Sequence, residues 1–146
     1  MEEIKIERAE KKDWPYIEEK LDKYALDATD ADWRNFFVAK LGDKTVGFGR
    51  IFDHGDYFEI GSLGVDYYHR EKGIGVKILS FLVKEARRMD VTKQIYGVTH
   101  RPGFVKKAGF KEITENIPEA LEYKRRHKCR KPEIIKIVKI KDSDNK

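Results

Sequence analysis

The sequence is short of cysteine, proline, methionine and long apolar runs. Its single cysteine, Cys129, excludes an internal disulfide and fits a reducing cytosol. Four histidines lie scattered along the chain, and only His127 is near that cysteine, so no zinc spacing forms and no metal is expected. No apolar stretch nears the roughly 20 residues that cross a bilayer. Met1-Glu2-Glu3-Ile4-Lys5 also lacks the shape of a signal peptide. No membrane partner is expected, and the reading is a cytoplasmic protein. Internal repeats and long linkers are missing too, which argues against a repeat or multidomain arrangement.

What is present is charge balanced by apolar content. Of 146 residues, 39% are charged and 40% hydrophobic, the composition of a folded globular chain. The length suits one domain, residues 1–141, with a polar C-terminal tail at 142–146. Lys and Arg number 31 against 26 acidic residues, a formal charge of +5. That suits an anionic ligand and is too modest to demand nucleic acid.

Periodicity divides the chain into alternating elements. Ile4-Lys5-Ile6 reads as a short strand. Asp13 before Trp14-Pro15 reads as an N-cap with a proline in the first turn, opening a helix over 14–24. The acidic stretch 27–32 is a loop or short helix, and Asp27, Asp30 and Asp32 either attract a cationic amine or keep the loop solvated. Strands follow at 36–39 and 45–52, joined through Gly42-Asp43-Lys44, and a third antiparallel strand runs over 58–65. The helix over 73–89 aligns Ile78, Leu82, Ala86 and Met89 in one stripe, with Leu79 and Val83 beside it. After it come a strand at 95–99, a short helix at 101–108, a strand from Gly109, a helix at 117–126 and an isoleucine-rich strand at 133–140. The class is α/β, a mixed and mostly antiparallel sheet with flanking helices.

The densest chemical signal is Arg70-Glu71-Lys72-Gly73-Ile74-Gly75, between a strand and a helix. Free N–H groups of a first helical turn, the helix dipole and two residues without a Cβ make an anion site, and Arg70 adds a permanently charged fork. Two better-known phosphate loops do not fit. The dinucleotide fingerprint needs a third glycine where Ile78 stands, and the P-loop needs Gly-Lys-Ser/Thr where Gly75-Val76-Lys77 stands.

The pattern R-x-x-G-x-G after Ser62-Leu63-Gly64-Val65-Asp66 resembles the acetyl-CoA-binding motif of the GNAT acetyltransferase superfamily. Two further segments carry the resemblance: 36–39 with Thr45-Val46-Gly47-Phe48-Gly49, and Phe104-Val105-Lys106-Lys107-Ala108-Gly109-Phe110. It covers nearly the whole chain and implies the GNAT fold, with acetyl-CoA as co-substrate and an amine as acceptor. By resemblance, backbone groups of Leu63, Gly64 and Val65 pair with the pantetheine arm, and one N–H polarises the thioester oxygen. The glycines at 61 and 64 admit the ligand or pack against an aromatic neighbour, and ligand approach is the favoured reading at Gly64. Glu59 stands where several family members keep their general base. It shares side-chain parity with Gly61, Leu63 and Val65 if no bulge intervenes. The alternative is an exposed strand glutamate pairing with a lysine across the hairpin.

The sequence departs from the family at the acid. Where many members carry a tyrosine that reprotonates the CoA sulfur, this chain has Val105, beside Phe104. Tyr96, His100 or another group substitutes, or water protonates the thiolate, or catalysis is lost. Thr99-His100-Arg101 is similar to a Thr-x-Arg of N-acetylglutamate synthases, which makes a small amino acid a candidate acceptor. The expected activity is acetyl transfer from acetyl-CoA to a primary amine of a small molecule or protein, directly in a ternary complex. The alternative is a non-catalytic acyl-CoA-binding sensor or partner module, and nucleic-acid binding ranks third. The basic run Lys124-Arg125-Arg126-His127-Lys128 with Arg130-Lys131 reads as a solvated helix end. His54 reads as a loop residue. A homodimer through the last strand is an open arrangement.

Overall fold

A computed structural model describes residues 3–128 and 132–141, so Cys129, Arg130, Lys131 and the 142–146 tail lie outside the described residues. The elements are β1 (Ile4–Arg8), α1 (Trp14–Lys23), β2 (Phe36–Leu41), β3 (Lys44–Asp53), β4 (Tyr57–Val65), α2 (Ile74–Met89), β5 (Gln94–Thr99), α3 (Pro102–Lys106), β6 (Phe110–Ile113), α4 (Glu119–His127) and β7 (Lys136–Ile140). One seven-stranded sheet orders them β1-β2-β3-β4-β5-β7-β6. Every neighbouring pair is antiparallel except β4 with β5.

Each face of the sheet carries helices for a reason visible in its residues. Ile74, Ile78, Leu79, Leu82, Val83 and Ala86 of α2 bury one stripe against Phe37, Phe58, Ile60 and Ile95. Each buried Ile, Leu, Val or Phe side chain there contributes about 1.5–3 kcal/mol. On the other face, Ile17 and Leu21 of α1 meet Phe36, Val38 and Phe48, while Leu121 of α4 meets Tyr96 and Ile137. Met89, expected in the α2 stripe, is instead the last helical residue and is exposed.

Two local expectations change. Asp13 directly precedes α1 but does not cap it, because a 3-10 turn over Lys11–Asp13 gives it helical dihedrals. Its carboxylate instead accepts from the Glu10 amide at 2.7 Å and from Lys40 Nζ at 2.9 Å. The last strand is also shorter than expected, and it is not an edge. β7 inserts between β5 and β6, paired on both sides within the chain, so it offers no free edge to a second copy.

Candidate active site

β4 carries a bulge. Between the Phe48–Gly64 and Arg50–Gly61 pairs, Gly49 alone on β3 faces both Ser62 and Leu63. Ser62 absorbs the extra residue at φ 49°, in the left-handed region. Side-chain parity resets there. Glu59, Gly61, Ser62 and Gly64 face α1 and α4, whereas Phe58, Ile60, Leu63 and Val65 face α2. A bulge does intervene, so Glu59 does not share a face with Leu63 and Val65.

Beyond Glu59, β4 loses its other neighbour. The parallel ladder with β5 holds three pairs, Tyr57–Gln94, Phe58–Ile95 and Glu59–Tyr96, and then stops. β5 continues against β7, so the β5-facing edge of β4 from Ile60 to Val65 is left without a ladder partner. The strands part at the Glu59–Tyr96 pair and enclose a wedge.

That edge leads to the first turn of α2. Gly73 adopts φ 79°, and a Cβ there would meet nothing within 4 Å, so the backbone conformation and not packing calls for glycine. The first intrahelical bond runs from the Lys77 amide to the Gly73 carbonyl at 3.1 Å, leaving the amides of Ile74, Gly75 and Val76 without a protein partner among the described residues. Arg70, Glu71, Lys72 and Gly73 are exposed, whereas the Ile74 side chain sits in the core and only its backbone is available. A Cβ on Gly75 would lie 3.0 Å from the Phe104 ring.

Two expectations about this loop are revised. Arg70 folds back: its Nε donates to the Val65 carbonyl at 2.9 Å, and its guanidinium lies 4.6 Å from the centre of the Tyr24 ring. One backbone acceptor expected to face the ligand is thereby taken. At Gly64 a Cβ would sit 2.5 Å from the Phe48 ring, so close aromatic packing, and not ligand approach, requires that glycine.

At the apex of the wedge lies a buried polar cluster. Glu59 is 1% exposed. Its Oε2 accepts from Lys124 Nζ at 2.5 Å, and its Oε1 lies 2.9 Å from His54 Nε2. Lys124 also binds Asp27 Oδ2 at 2.6 Å and sits 4.7 Å from the centre of the Phe52 ring. Burial works against the ammonium, but Glu59 and Asp27 outweigh it and hold the Lys124 pKa above the usual lysine value. Burial likewise pushes Asp27 up, but hydrogen bonds from Lys124 and Thr29 dominate and hold it below the usual carboxylate range. Arg50 is wholly buried, stacked 3.8 Å from the centre of the Phe52 ring. Its Nε donates to Ser62 Oγ at 3.1 Å and its Nη2 to the carbonyls of Asp27 and Thr29 at 3.0 and 2.9 Å. Ser62 Oγ in turn donates to the Asp27 carbonyl at 2.6 Å. The strained bulge residue, the loop after α1 and the buried arginine thus hold one another in place.

A model of the GNAT acetyltransferase domain matches residues 32–112, over half of the chain. The chain belongs to the GNAT acetyltransferase family. GNAT enzymes are acetyltransferases and use acetyl-CoA as co-substrate. No curated protein matches this GNAT chain in sequence. Solved structures share its fold at low identity. N-acetylglutamate synthase from Neisseria gonorrhoeae, complexed with coenzyme A and N-acetyl-glutamate, superposes with a TM-score of 0.76 at 17% identity over 97% of this chain, which spans 36% of that chain. Rv2747 from Mycobacterium tuberculosis, in complex with CoA, gives 0.71 at 22% identity, covering 93% of this chain and 98% of that one. IAA acetyltransferase from Bacillus cereus gives 0.68 at 17% identity, covering 94% and 99%.

The neighbours of Glu59 in this GNAT chain come from the turn before β4 and from α4. Lys124 is no solvated helix end. Leu121, three residues earlier on the same helical face, is fully buried and turns Lys124 inward, a spacing that was the available signal. His54 is more than a loop residue, since it bonds Glu59 and stacks on Tyr57 with ring centroids 4.6 Å apart. Arg125 and Arg126 share the Glu122 carboxylate, which offsets one of their two charges. Val105 packs against the α2 core and has no hydroxyl to offer. Tyr96 shares the α4 face with Glu59, and burial raises its pKa, so it stays protonated through neutral pH. A cleft of about 430 Å³ lined by Arg8, Asp32, Arg34, Phe37, Ile51 and Met89, among others, shares no residue with this cluster. Among the described residues no group of three or more potential metal ligands forms, and no helix is long and apolar enough to cross a membrane.

Proposed function

We propose that this chain is an N-acetyltransferase that moves the acetyl group of acetyl-CoA directly to a primary amine in a ternary complex. The observation that carries this reading is the parting of β4 and β5 at the Glu59–Tyr96 pair, between an open helix N-terminus and a buried carboxylate. The unpaired β4 edge suits an extended pantetheine arm, which would dock as an added strand. The Arg70–Gly75 turn suits the pyrophosphate, with the amides of Ile74 and Gly75 as donors and Arg70, once off Tyr24, and Lys72 adding charge. A thioester supplies an activated carbonyl and a stable thiolate leaving group. Backbone amides in the stretch from Leu63 to Val65 would polarise its oxygen. Glu59 would accept the amine proton, with Asp27 holding the acceptor's charge beforehand. The acceptor is a small amino acid or a protein amine. The fold likeness to N-acetylglutamate synthase and Thr99-His100-Arg101 favour the amino acid.

A second reading, a non-catalytic acyl-CoA-binding module, draws on Val105 in the acid position and on the full engagement of both Glu59 oxygens. Calorimetric titration with acetyl-CoA and with CoA, on wild type and Arg70→Ala, followed by CoA-thiol release across a panel of amines, separates the two. Binding with amine-dependent release that Glu59→Gln abolishes supports transfer. Binding without release supports the module, and no binding of either ligand overturns both.

A further inference from the structure

α4 packs over β5 and β7, with Leu121 buried against Tyr96 and Ile137. From that seat Lys124 reaches β4, where its Nζ lies 2.5 Å from Glu59 Oε2. Glu59 and Tyr96 are the last ladder pair before β4 and β5 part. The lysine side chain therefore reaches from α4 to the apex of the wedge, beside the carboxylate that the reading above makes the base. Its ammonium is held as an incoming amine would need to be, by the carboxylate cast as base, a second carboxylate on Asp27 at 2.6 Å and the face of Phe52 at 4.7 Å. The other lysines paired to shielded carboxylates, Lys20 with Asp66 and Lys40 with Asp13, have no contact with Glu59.

We propose that Lys124 is itself an acetyl acceptor, a self-acetylation site within the enzyme's own active centre. The inference rests on Glu59 being the base. The ammonium gives one proton to Glu59 Oε2, and the freed Nζ lone pair attacks the thioester carbonyl carbon. As the C–S bond breaks, the nitrogen's second surplus proton passes to the departing thiolate. The products are acetylated Lys124, CoA as its thiol and one proton on Glu59, which leaves through His54 or solvent. The new amide carries no charge, so Glu59 and Asp27 lose the cation that joins them and Glu59 becomes available to a second amine.

The background reaction runs the other way. Non-enzymatic acylation by thioesters needs an exposed, deprotonated amine. Lys124 has a side chain only 19% exposed and a raised pKa, whereas Lys12 is 75% exposed. The full chain is incubated with acetyl-CoA bearing a heavy-isotope acetyl group, and the sites are read by peptide mass spectrometry. The expected result is labelling of Lys124 ahead of Lys12, slowed about a hundredfold in Glu59→Gln, the scale of general-base catalysis. Unlabelled acetyl already on Lys124 counts as the same result where Glu59→Gln lacks it. Lys124→Arg keeps the positive charge and is expected to abolish CoA release in the absence of added amine. Lys124 unmodified, or labelled no faster than Lys12, or labelled equally in Glu59→Gln, overturns the proposal. If added amines still release CoA in those samples, the acetyltransferase reading survives alone. If no amine does, both fall.

Discussion

Replacing Lys124 by methionine keeps an unbranched apolar side chain and deletes the ammonium that lies 4.7 Å from the centre of the Phe52 ring. Glu59, buried at 1%, then keeps only His54 as a hydrogen-bond partner, and Asp27 keeps the Thr29 amide and the Arg50 guanidinium at 3.8 Å. Removing one member of a fully buried pair costs about 3–5 kcal/mol. Here the lysine side chain retains 19% exposure, so water screens part of the interaction and the expected loss is about 2–3 kcal/mol. Glu59→Gln costs less, about 1–2 kcal/mol, because Lys124 still holds Asp27 at 2.6 Å. In the double variant both members of the Glu59–Lys124 pair are gone and only Asp27 has lost a partner, so the losses fall short of additive by about 1–2 kcal/mol. Urea unfolding followed by circular dichroism measures all four corners, with unchanged m-values as the check on a common unfolded state. Thermal midpoints should fall by roughly 5–10 °C for Lys124→Met. Losses that add within about 0.5 kcal/mol would refute the pairing.

The same cluster gives a pH profile. Asp27 has a folded pKa below its ordinary 3.8, so its contribution is present above that value and is lost as pH falls through the lower folded one. Lys124 has a folded pKa above its ordinary 10.5, so its contribution is full below that value and is lost as pH rises through the higher folded one. Stability against pH should decline at both ends, and Lys124→Met should flatten the alkaline limb. Gly64→Ala forces a methyl within 2.5 Å of the Phe48 ring and should cost about 1–3 kcal/mol, largely recovered by Phe48→Leu in the same chain. Tyr96→Phe should lower kcat about tenfold to a hundredfold at constant KM if its phenol protonates the leaving thiolate, and steady-state rates showing no change would remove it from the reaction.

Much of the fold was legible because periodicity reports burial directly. The α2 stripe from Ile78 to Ala86 and the Arg70–Gly75 turn lie where hydrophobic spacing and glycine place them. Contacts formed across the chain were harder to read. A bulge leaves no mark in polarity, so the reset at Ser62 that turns Leu63 toward α2 was invisible until β3 and β4 were paired. A lysine inside a run of cations looks solvated, and only the seat of Leu121 against Tyr96 shows that Lys124 points inward. Arg70 lies on the turn before α2, but its side chain rests on Tyr24, just past the end of α1, which no local pattern reports.

β7 bears on how the chain is made. It is the last described strand, yet it sits inside the sheet and joins β5 to β6. During synthesis, a nascent chain that has emerged only as far as α4 has β6 with no partner and β5 attached by three ladder pairs to β4 alone. The half of the domain bearing α2 and β1 to β4 can settle while the ribosome is still working, whereas the α4 side waits for Lys136–Ile140. Until those residues arrive, β5 and β6 are sticky edges, and a chaperone that shields strands would find its client there.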